Sequence, residues 1–478
     1  MPLNYRPLTG ALSALCLASV LAIPNAGAEV SKAKKLEAQA LLESIIPYRT
    51  AKGYGQMSAM TDVLVERLKR AGFSDEDIVR VPLEIDGEMT NGLLVRFAAQ
   101  GIPAAPPVAF LAHMDVVDAL PANWETDPFT PVIKDGYIYG RGTQDNKFGV
   151  ALLVSSFANL KESGFAPRRN LLLAFAGDEE TGMLTTQAIL KHPFVRDTEY
   201  ALNSDAGGGS MLRDGTPVGF SMQSAEKTYV TFKLGTRNPG GHSSAPQPDN
   251  AIYDLARALV AIDDYTFPVQ FNPITRSMAR ALAEREGGEL GTALQTLLEN
   301  PEDAAALAIM QGYPQYSNML WTTCVATMLD AGLTENALPQ SAVATVNCRI
   351  LPDTGGAEQV TRTLAQVIGN DEVSISISRA SVESPASPIR EDLLSLLEAA
   401  VAINYPGMTL QPTMSSGGTE GREYRSAGIP TYGAGSLALV RPDDSRAHGI
   451  NERIPLSSFY KEMDYWDYVM RQIGGGEQ

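Results

Sequence analysis

The chain has 478 residues, enough for two or three domains with buried cores. Hydrophobic residues make up 44% and charged residues 19%, a balance that excludes a disordered polyelectrolyte and a multi-span membrane protein. Lys+Arg 38 against Asp+Glu 55 gives a formal net charge of −17, which opposes the counterion release that drives binding to nucleic acid or anionic lipid.

Arg6 precedes a mostly apolar run from Ala11 to Ile23, followed by Pro24, Asn25 and the small residues Ala26-Gly27-Ala28. This is the pattern of a secretory signal over residues 1–28, cleaved after Ala28. The run is short for a bilayer span, and Leu15 stands before Cys16 where a lipoprotein signal has a small residue. The mature protein is therefore expected to be periplasmic or secreted, without stable membrane insertion. Export leaves Cys324 and Cys348 in an oxidising compartment. Residues 322–327 and 343–348 read as strands around a turn-like segment at 333–339, a hairpin that brings the sulfurs near each other as a bridge or as two buried thiols.

Along the mature chain, helices are expected over about 31–46 and in a second segment ending near Ala71-Gly72. Strands over 107–111, 170–175 and 200–202 then alternate with helices over 147–163 and 185–191. This βαβ alternation predicts an α/β fold with a mostly parallel sheet covered on both faces and ligand loops at the carboxyl ends of its strands. From about Glu226 the pattern becomes α+β: a strand over 228–234, a Gly/Pro/Ser loop, a helix over 250–262, a helical tract across 274–310, and the two cysteine-bearing strands. Alternation returns beyond Leu351, with a helix over 358–368, a strand over 373–378, a helix over 390–403, a strand over 431–432 and a last helix over 456–473. Gly474-Gly475-Gly476 reads as a frayed tail. The simplest organisation is one discontinuous α/β domain, residues 29–225 and 353–478, interrupted by an inserted domain at 226–352.

Carboxylates and histidines recur where the predicted strands end. His113 and Asp115 fall on the same side of an extended chain, a structural His/Asp pair or a metal ligand whose free ring nitrogen is held by a carboxylate. Asp145 lies in the glycine-rich 140–147 segment that opens a helix; its spacing is not that of a P-loop, and it presents an anion where a phosphate needs donors. Asp178-Glu179-Glu180 follows a very apolar strand, as a solvated loop or as acids compensated by a cation. Asp205 ends another strand, and His448 follows the turn-rich 441–444 segment. If these strand ends converge, two zinc-like ions fit, one held by His113 and Asp205, the other by Glu180 and His448, with Asp145 bridging. Three ligand carboxylates and a bridging hydroxide then neutralise two divalent cations. Glu179 is left as the non-ligand carboxylate beside an activated water, suited to pass a proton to a leaving amine.

His113-Met114-Asp115-Val116-Val117, Trp124, Asp127-Pro128-Phe129, the 140–147 segment, Asp178-Glu179-Glu180, Ser204-Asp205, Gly240-Gly241-His242-Ser243-Ser244 and His448-Gly449-Ile450-Asn451-Glu452 together resemble the dinuclear-zinc metallopeptidase family of carboxypeptidase S, glutamate carboxypeptidase, aminoacylase and succinyl-diaminopimelate desuccinylase. The resemblance runs in order along nearly the whole mature chain. It implies two zinc ions (or cobalt or manganese), the ligand set above, Glu179 as general base, Asp115 as the residue orienting His113, and residues 226–352 as a lid or dimerisation domain. It further implies that His242 binds the developing oxyanion, in dimers commonly at the neighbouring subunit's site. Arg349 resembles the arginine that holds a substrate carboxylate, Asn336 a substrate-contacting asparagine, and Gly418-Thr419 part of a substrate loop; the alternatives are a surface arginine, a turn asparagine and a helix-start loop. His192 matches no motif and reads as structural.

The function implied is that of an exported zinc exopeptidase acting on small peptides or N-acyl amino acids with a free carboxylate. An N-acyl-amino-acid deacylase is the alternative on the same site, because specificity lies in the acyl pocket and not in the metals. A non-catalytic metal-binding protein has no need of Glu179.

Overall fold

The computed structural model describes residues 29–475; the expected signal segment with Cys16, and Gly476, lie outside them. Among the described residues, no helix is long and apolar enough to cross a membrane. The fold is α/β, built on a ten-stranded central sheet. Its middle strands, in the spatial order Leu171–Ala176, Val108–His113, Tyr200–Asn203 and Thr431–Gly433, are all parallel. The first two are buried along their entire length, as their unbroken apolar runs require of strands covered on both faces. The antiparallel pair Ile78–Ile85 and Glu88–Phe97 extends one edge. Pro217–Glu226, Gly208–Met211, Ala438–Val440 and Leu410–Ser415 extend the other.

Helices Lys32–Ile45, Met57–Arg70, Lys147–Glu162 and Leu456–Gly474 pack on one face of this sheet, and Leu184–Leu190 with Gly421–Ser426 on the other. Lys147–Glu162 lies deepest and is apolar nearly all round. Its first residue, Lys147, is fully buried and donates through Nζ to the Ile45 carbonyl at 3.0 Å and the Tyr48 carbonyl at 2.5 Å. The helix start, with Asp145 just before it, is thereby tied to the carboxyl end of Lys32–Ile45.

A second, four-stranded antiparallel sheet runs Thr323–Ala331, Ser341–Ile350, Thr228–Arg237, Ser374–Ala380. Its last strand corrects the expected organisation: the strand read over 373–378 does not return to the parallel sheet but pairs with Thr228–Arg237. The reason is apolar. Val360 and Leu364 of helix Gly356–Ile368, with Val373, share one buried cluster with Phe232 and Leu255. The chain therefore leaves this sheet after Ala380 and not near Leu351. The helical tract resolves into Pro273–Glu286, Gly288–Glu299, Ala304–Gln311 and Pro314–Ser317, with a core of its own that reaches Met414 of Leu410–Ser415. Gly287, at φ 58, breaks the first helix from the second.

Gly474 is not part of a frayed tail. It ends the last helix, its carbonyl accepts from Arg168 N–H at 2.8 Å, and an added Cβ would meet Phe165 at 2.8 Å. Cys324 and Cys348 stand directly opposite each other in register and are joined as a disulfide across 24 positions of chain. Reducing the bridge, or Cys348→Ser, is expected to cost about 2–4 kcal/mol, read as a lower denaturant midpoint. Titration of two free thiols at Cys324 and Cys348 in the unfolded mature protein would contradict the pairing.

Candidate active site

Because the four central strands are parallel, their carboxyl ends lie along one edge of the sheet, and the acidic loops all leave from it. His113 ends its strand, Asp178-Glu179-Glu180 follows Leu171–Ala176, and Asp205 follows Tyr200–Asn203. Asp145 arrives from the turn before Lys147–Glu162, and His448 from the loop beyond Ala438–Val440.

Asp145 is the shared member: its Oδ1 lies 2.8 Å from His113 Nε2 and its Oδ2 lies 3.1 Å from His448 Nε2. Glu180 Oε1 is 3.0 Å from His448 Nε2, and Asp205 Oδ1 is 3.5 Å from His113 Nε2. The residues read as ligands from distant segments thus meet in one cluster. On the far side of His113, Nδ1 donates to the Asp115 main-chain carbonyl at 2.9 Å. A carbonyl only accepts, so in the neutral ring Nε2 carries the lone pair and faces the acids.

Asp115 meets His113 through both main chain and carboxylate, its Oδ1 lying 3.5 Å from Nδ1. Its main chain, more than its carboxylate, orients His113; the carboxylate accepts the Glu179 and Glu180 N–H groups, each at 3.0 Å. It thereby fixes the acidic loop. Asp145 is held in the same manner by Glu452, which sequence reasoning left without a role. Glu452 Oε1 accepts from Gln144 N–H at 2.6 Å and Asp145 N–H at 3.0 Å, while its other oxygen pairs with Arg141 at 2.5 Å. Asn146 Nδ2 donates to Asp205 at 3.1 Å.

Glu420 is a further residue missed at its own position, although its neighbours Gly418 and Thr419 were singled out. It is buried, and one of its oxygens lies within 4.8 Å of oxygens of Glu179 and Asp205. Its Oε2 accepts from Asn203 Nδ2 at 3.2 Å, whereas Oε1 has no partner among the described residues. Only its place after a glycine-rich loop signalled it.

The electrostatics follow from this crowding. Burial, reinforced by Asp205, Glu420 and Asp115, pushes the Glu179 carboxyl well above its ordinary range. Burial and the Asp145 charge push Asp205 up to about 8. Hydrogen bonds to Asp145 and Glu180 raise His448 to about 10, and His113 rises well above its usual value because Asp205, Asp115 and Asp145 outweigh burial. Two imidazole nitrogens and several carboxylate oxygens, one carboxylate facing both rings, form a donor set that suits divalent metal ions.

The other expected site residues separate into two groups. Arg349 lines a cavity of about 390 Å³ that also contains Glu179, Glu180 and Gly418. Arg379 and Arg422, not anticipated, line the same cavity. Arg349 and Arg379 stack on Tyr229, 4.7 and 5.6 Å from its ring centroid, and donate to the main-chain oxygens of Ser416 and Thr181. Gly418 admits Arg422, whose Nη1 would lie 2.8 Å from an added Cβ. Thr419 borders the cleft but donates its hydroxyl to Glu226 at 2.6 Å, so it anchors the loop.

His242 and Asn336 are not brought into the cluster. They sit together on an exposed edge, where Gly241–His242 pairs with Ala337–Leu338 and Ser243 N–H donates to the Asn336 carbonyl at 3.1 Å. His192 packs on Phe194, 4.7 Å between ring centroids, apart from the site.

A sequence model of peptidase family M20/M25/M40 matches residues 109–472. The chain belongs to this family, and it is a metallopeptidase/amidohydrolase-type enzyme. Among its relatives, N-fatty-acyl-amino acid synthase/hydrolase PM20D1 of Xenopus tropicalis is 30% identical over 380 residues, 77% of this chain and 73% of that protein. Among solved structures, the M20 family metallo-carboxypeptidase Sso-CP2 from Sulfolobus solfataricus superposes with a TM-score of 0.65 at 17% identity, over 92% of this chain and 99% of that one. YXEP of Bacillus subtilis, described as a dinuclear metal binding peptidase, does so with a TM-score of 0.60 at 11% identity, over 94% and 100%. Both share the fold. Removing the support beneath the acidic loop, by Asp115→Ala, is expected to weaken metal binding about 10- to 100-fold in calorimetric titration; unchanged affinity would contradict the role given to Asp115.

Proposed function

We propose that the protein is an exported dinuclear zinc hydrolase that cleaves the amide bond of N-acyl amino acids or small peptides bearing a free carboxylate. The observation that carries this reading is the position of Asp145, one oxygen toward His113 and the other toward His448, with Glu179 beside the cluster. His113, Asp145 and Asp205 would hold one ion, and Asp145, Glu180 and His448 the other. The ions, when bound, supply Lewis acidity toward the scissile carbonyl and acidify water.

The rest falls to the chain's own side chains. Glu179 takes a proton from the attacking water and delivers it to the departing amine nitrogen, so the amide carbon–nitrogen bond breaks with charge conserved. Burial first, and the neighbouring Asp205, Glu420 and Asp115 after it, raise its carboxyl, and the positive charge of a bound ion would act in the opposite sense. Arg349 takes the substrate carboxylate, for which the planar guanidinium is suited. Asp115 and Glu452 keep the acidic loops in place while charge is redistributed.

Export rests on the apolar run before Ala28. Pairing of two chains through the smaller sheet is supported by its edge strand Thr323–Ala331, where Met328 is 67% and Leu329 63% exposed, and by Tyr253 at 61% on the adjoining helix. In such a pair His242 and Asn336 would serve the neighbouring chain's site, consistent with their distance from the acids of their own. Glu179→Gln is expected to retain two zinc ions per chain and lose about 10²- to 10⁴-fold in kcat; turnover like that of the wild type would remove Glu179 from the mechanism. Chelation should abolish activity, and zinc should restore it. Leu329→Glu is expected to shift the protein to monomers in sedimentation analysis, and an unaltered assembly would place the interface elsewhere.

A further inference from the structure

Glu420 has no part in the chemistry proposed above, yet it is buried against it, 1% exposed. One of its oxygens, one of Glu179 and one of Asp205 all lie within 4.8 Å of one another. Asn203 Nδ2 donates to Glu420 Oε2 at 3.2 Å, and Oε1 has no hydrogen-bond partner among the described residues. Arg425, on the short helix that Glu420 precedes, is held elsewhere: its Nη2 lies 2.9 Å from Glu226, and its Nη1 donates to the Thr431 carbonyl at 2.9 Å. A buried carboxylate oxygen without a donor is costly, and it marks a place for a partner that the chain does not itself supply.

The chemistry of these three acids differs from that of the ligand set given to the two zinc ions. They include no imidazole, and a donor set of oxygens alone suits hard cations such as manganese, magnesium or calcium. Charge points the same way. Asp145, Glu180, Asp205 and a hydroxide balance two divalent cations, so the carboxylates of Glu179 and Glu420 are left over, and one more divalent cation balances both. The approach is open, because Glu179 and Asp205 line the cleft, while Glu420 is buried and does not. An ion arriving from the cleft meets the first two acids before the third.

We propose that Glu179, Asp205 and Glu420 form a third cation site, sharing only Asp205 with the zinc positions, that binds a hard divalent cation and thereby switches hydrolysis off. Glu179 is the proton acceptor of the proposed reaction, and with its lone pair directed at a cation it no longer takes a proton from water. Lacking nitrogen donors and lying beside two other ions, this site is weaker than the first two and fills after them. The loss of turnover rests on the hydrolytic function proposed above; the site itself does not.

The probe is manganese(II) added to the zinc-loaded wild-type enzyme, since manganese stands below zinc in intrinsic affinity and leaves the zinc ions in place. Free manganese, counted by its electron paramagnetic resonance signal, is expected to show one ion bound per chain with no loss of zinc. Turnover of an N-acyl amino acid is expected to fall over the same manganese range. Glu420→Gln is expected to weaken manganese binding at least about tenfold and to move the inhibition midpoint by the same factor. Anomalous diffraction at the manganese edge from wild-type crystals, which depends on no variant, is expected to place a peak among the three acids. No such peak, or equal manganese binding by the wild type and zinc-loaded Glu420→Gln, overturns the site. Manganese bound there with turnover undiminished overturns the switch and leaves the site. Manganese bound there in an enzyme that turns over no substrate even before its addition overturns the hydrolytic reading and again leaves the site.

Discussion

Carboxylates do not gather in a protein interior without compensation. Asp145, Glu179, Glu180, Asp205 and Glu420 meet at the carboxyl edge of a parallel sheet beside buried His113 and half-exposed His448, with the Asp145, Glu180, Asp205 and Glu420 carboxyls largely withdrawn from solvent. Burial first, and the neighbouring acids with it, raise the Asp205 and Glu179 carboxyls, and divalent cations at the shared Asp145 would offset that cost. The surrounding structure is arranged to keep the acids close when they would otherwise separate. Asp115 holds two consecutive N–H groups of the acidic loop, Glu452 holds those of Gln144 and Asp145, and buried Lys147 pins the helix that follows.

The fold divides the labour accordingly. The parallel sheet fixes the reacting groups through strand ends, where position is set by main-chain pairing and tolerates little variation. The cavities beside it are lined by elements attached to its rim, among them the arginines of Ser341–Ile350 and Ser374–Ala380 and the loop at 415–418, and under the proposed function recognition falls to these. Such a division lets the amide chemistry stay constant while the substrate changes, because side-chain and acyl preference depend on surfaces that never touch the reacting atoms.

Much of this was legible in the sequence because the central strands are apolar runs and each ends on a chemically unusual residue. His113, Glu179, Glu180 and Asp205 stood out at expected strand ends and Asp145 and His448 in or beyond turns, yet each alone also fitted a structural pair or a solvated loop, and only the ordered set pointed to one site. The hairpin Ile78–Ile85 and Glu88–Phe97 was not legible, since its first strand alternates half-exposed positions and carries Pro82, which argues against a sheet interior. Strand Ser374–Ala380 was legible as a strand but not in its sheet, because pairing partners are decided by Val360, Leu364 and Val373 packing on distant residues. Glu452 and Glu420 escaped because their roles come from burial: a glutamate beside a glycine loop looks solvated until the loop closes over it. Asp115 could be singled out beside His113 in sequence, but that its carbonyl meets the histidine while its carboxylate holds the loop depends on how the chain folds back.

The central claim is that the acids surround two metal ions that share Asp145. Anomalous diffraction from crystals of the zinc-loaded enzyme, recorded on both sides of the zinc absorption edge, tests it most directly. Two zinc peaks are predicted, one among His113, Asp145 and Asp205 and one among Asp145, Glu180 and His448, bridged by the Asp145 carboxylate. No zinc at the cluster, or a single ion that leaves either histidine unligated, would contradict it.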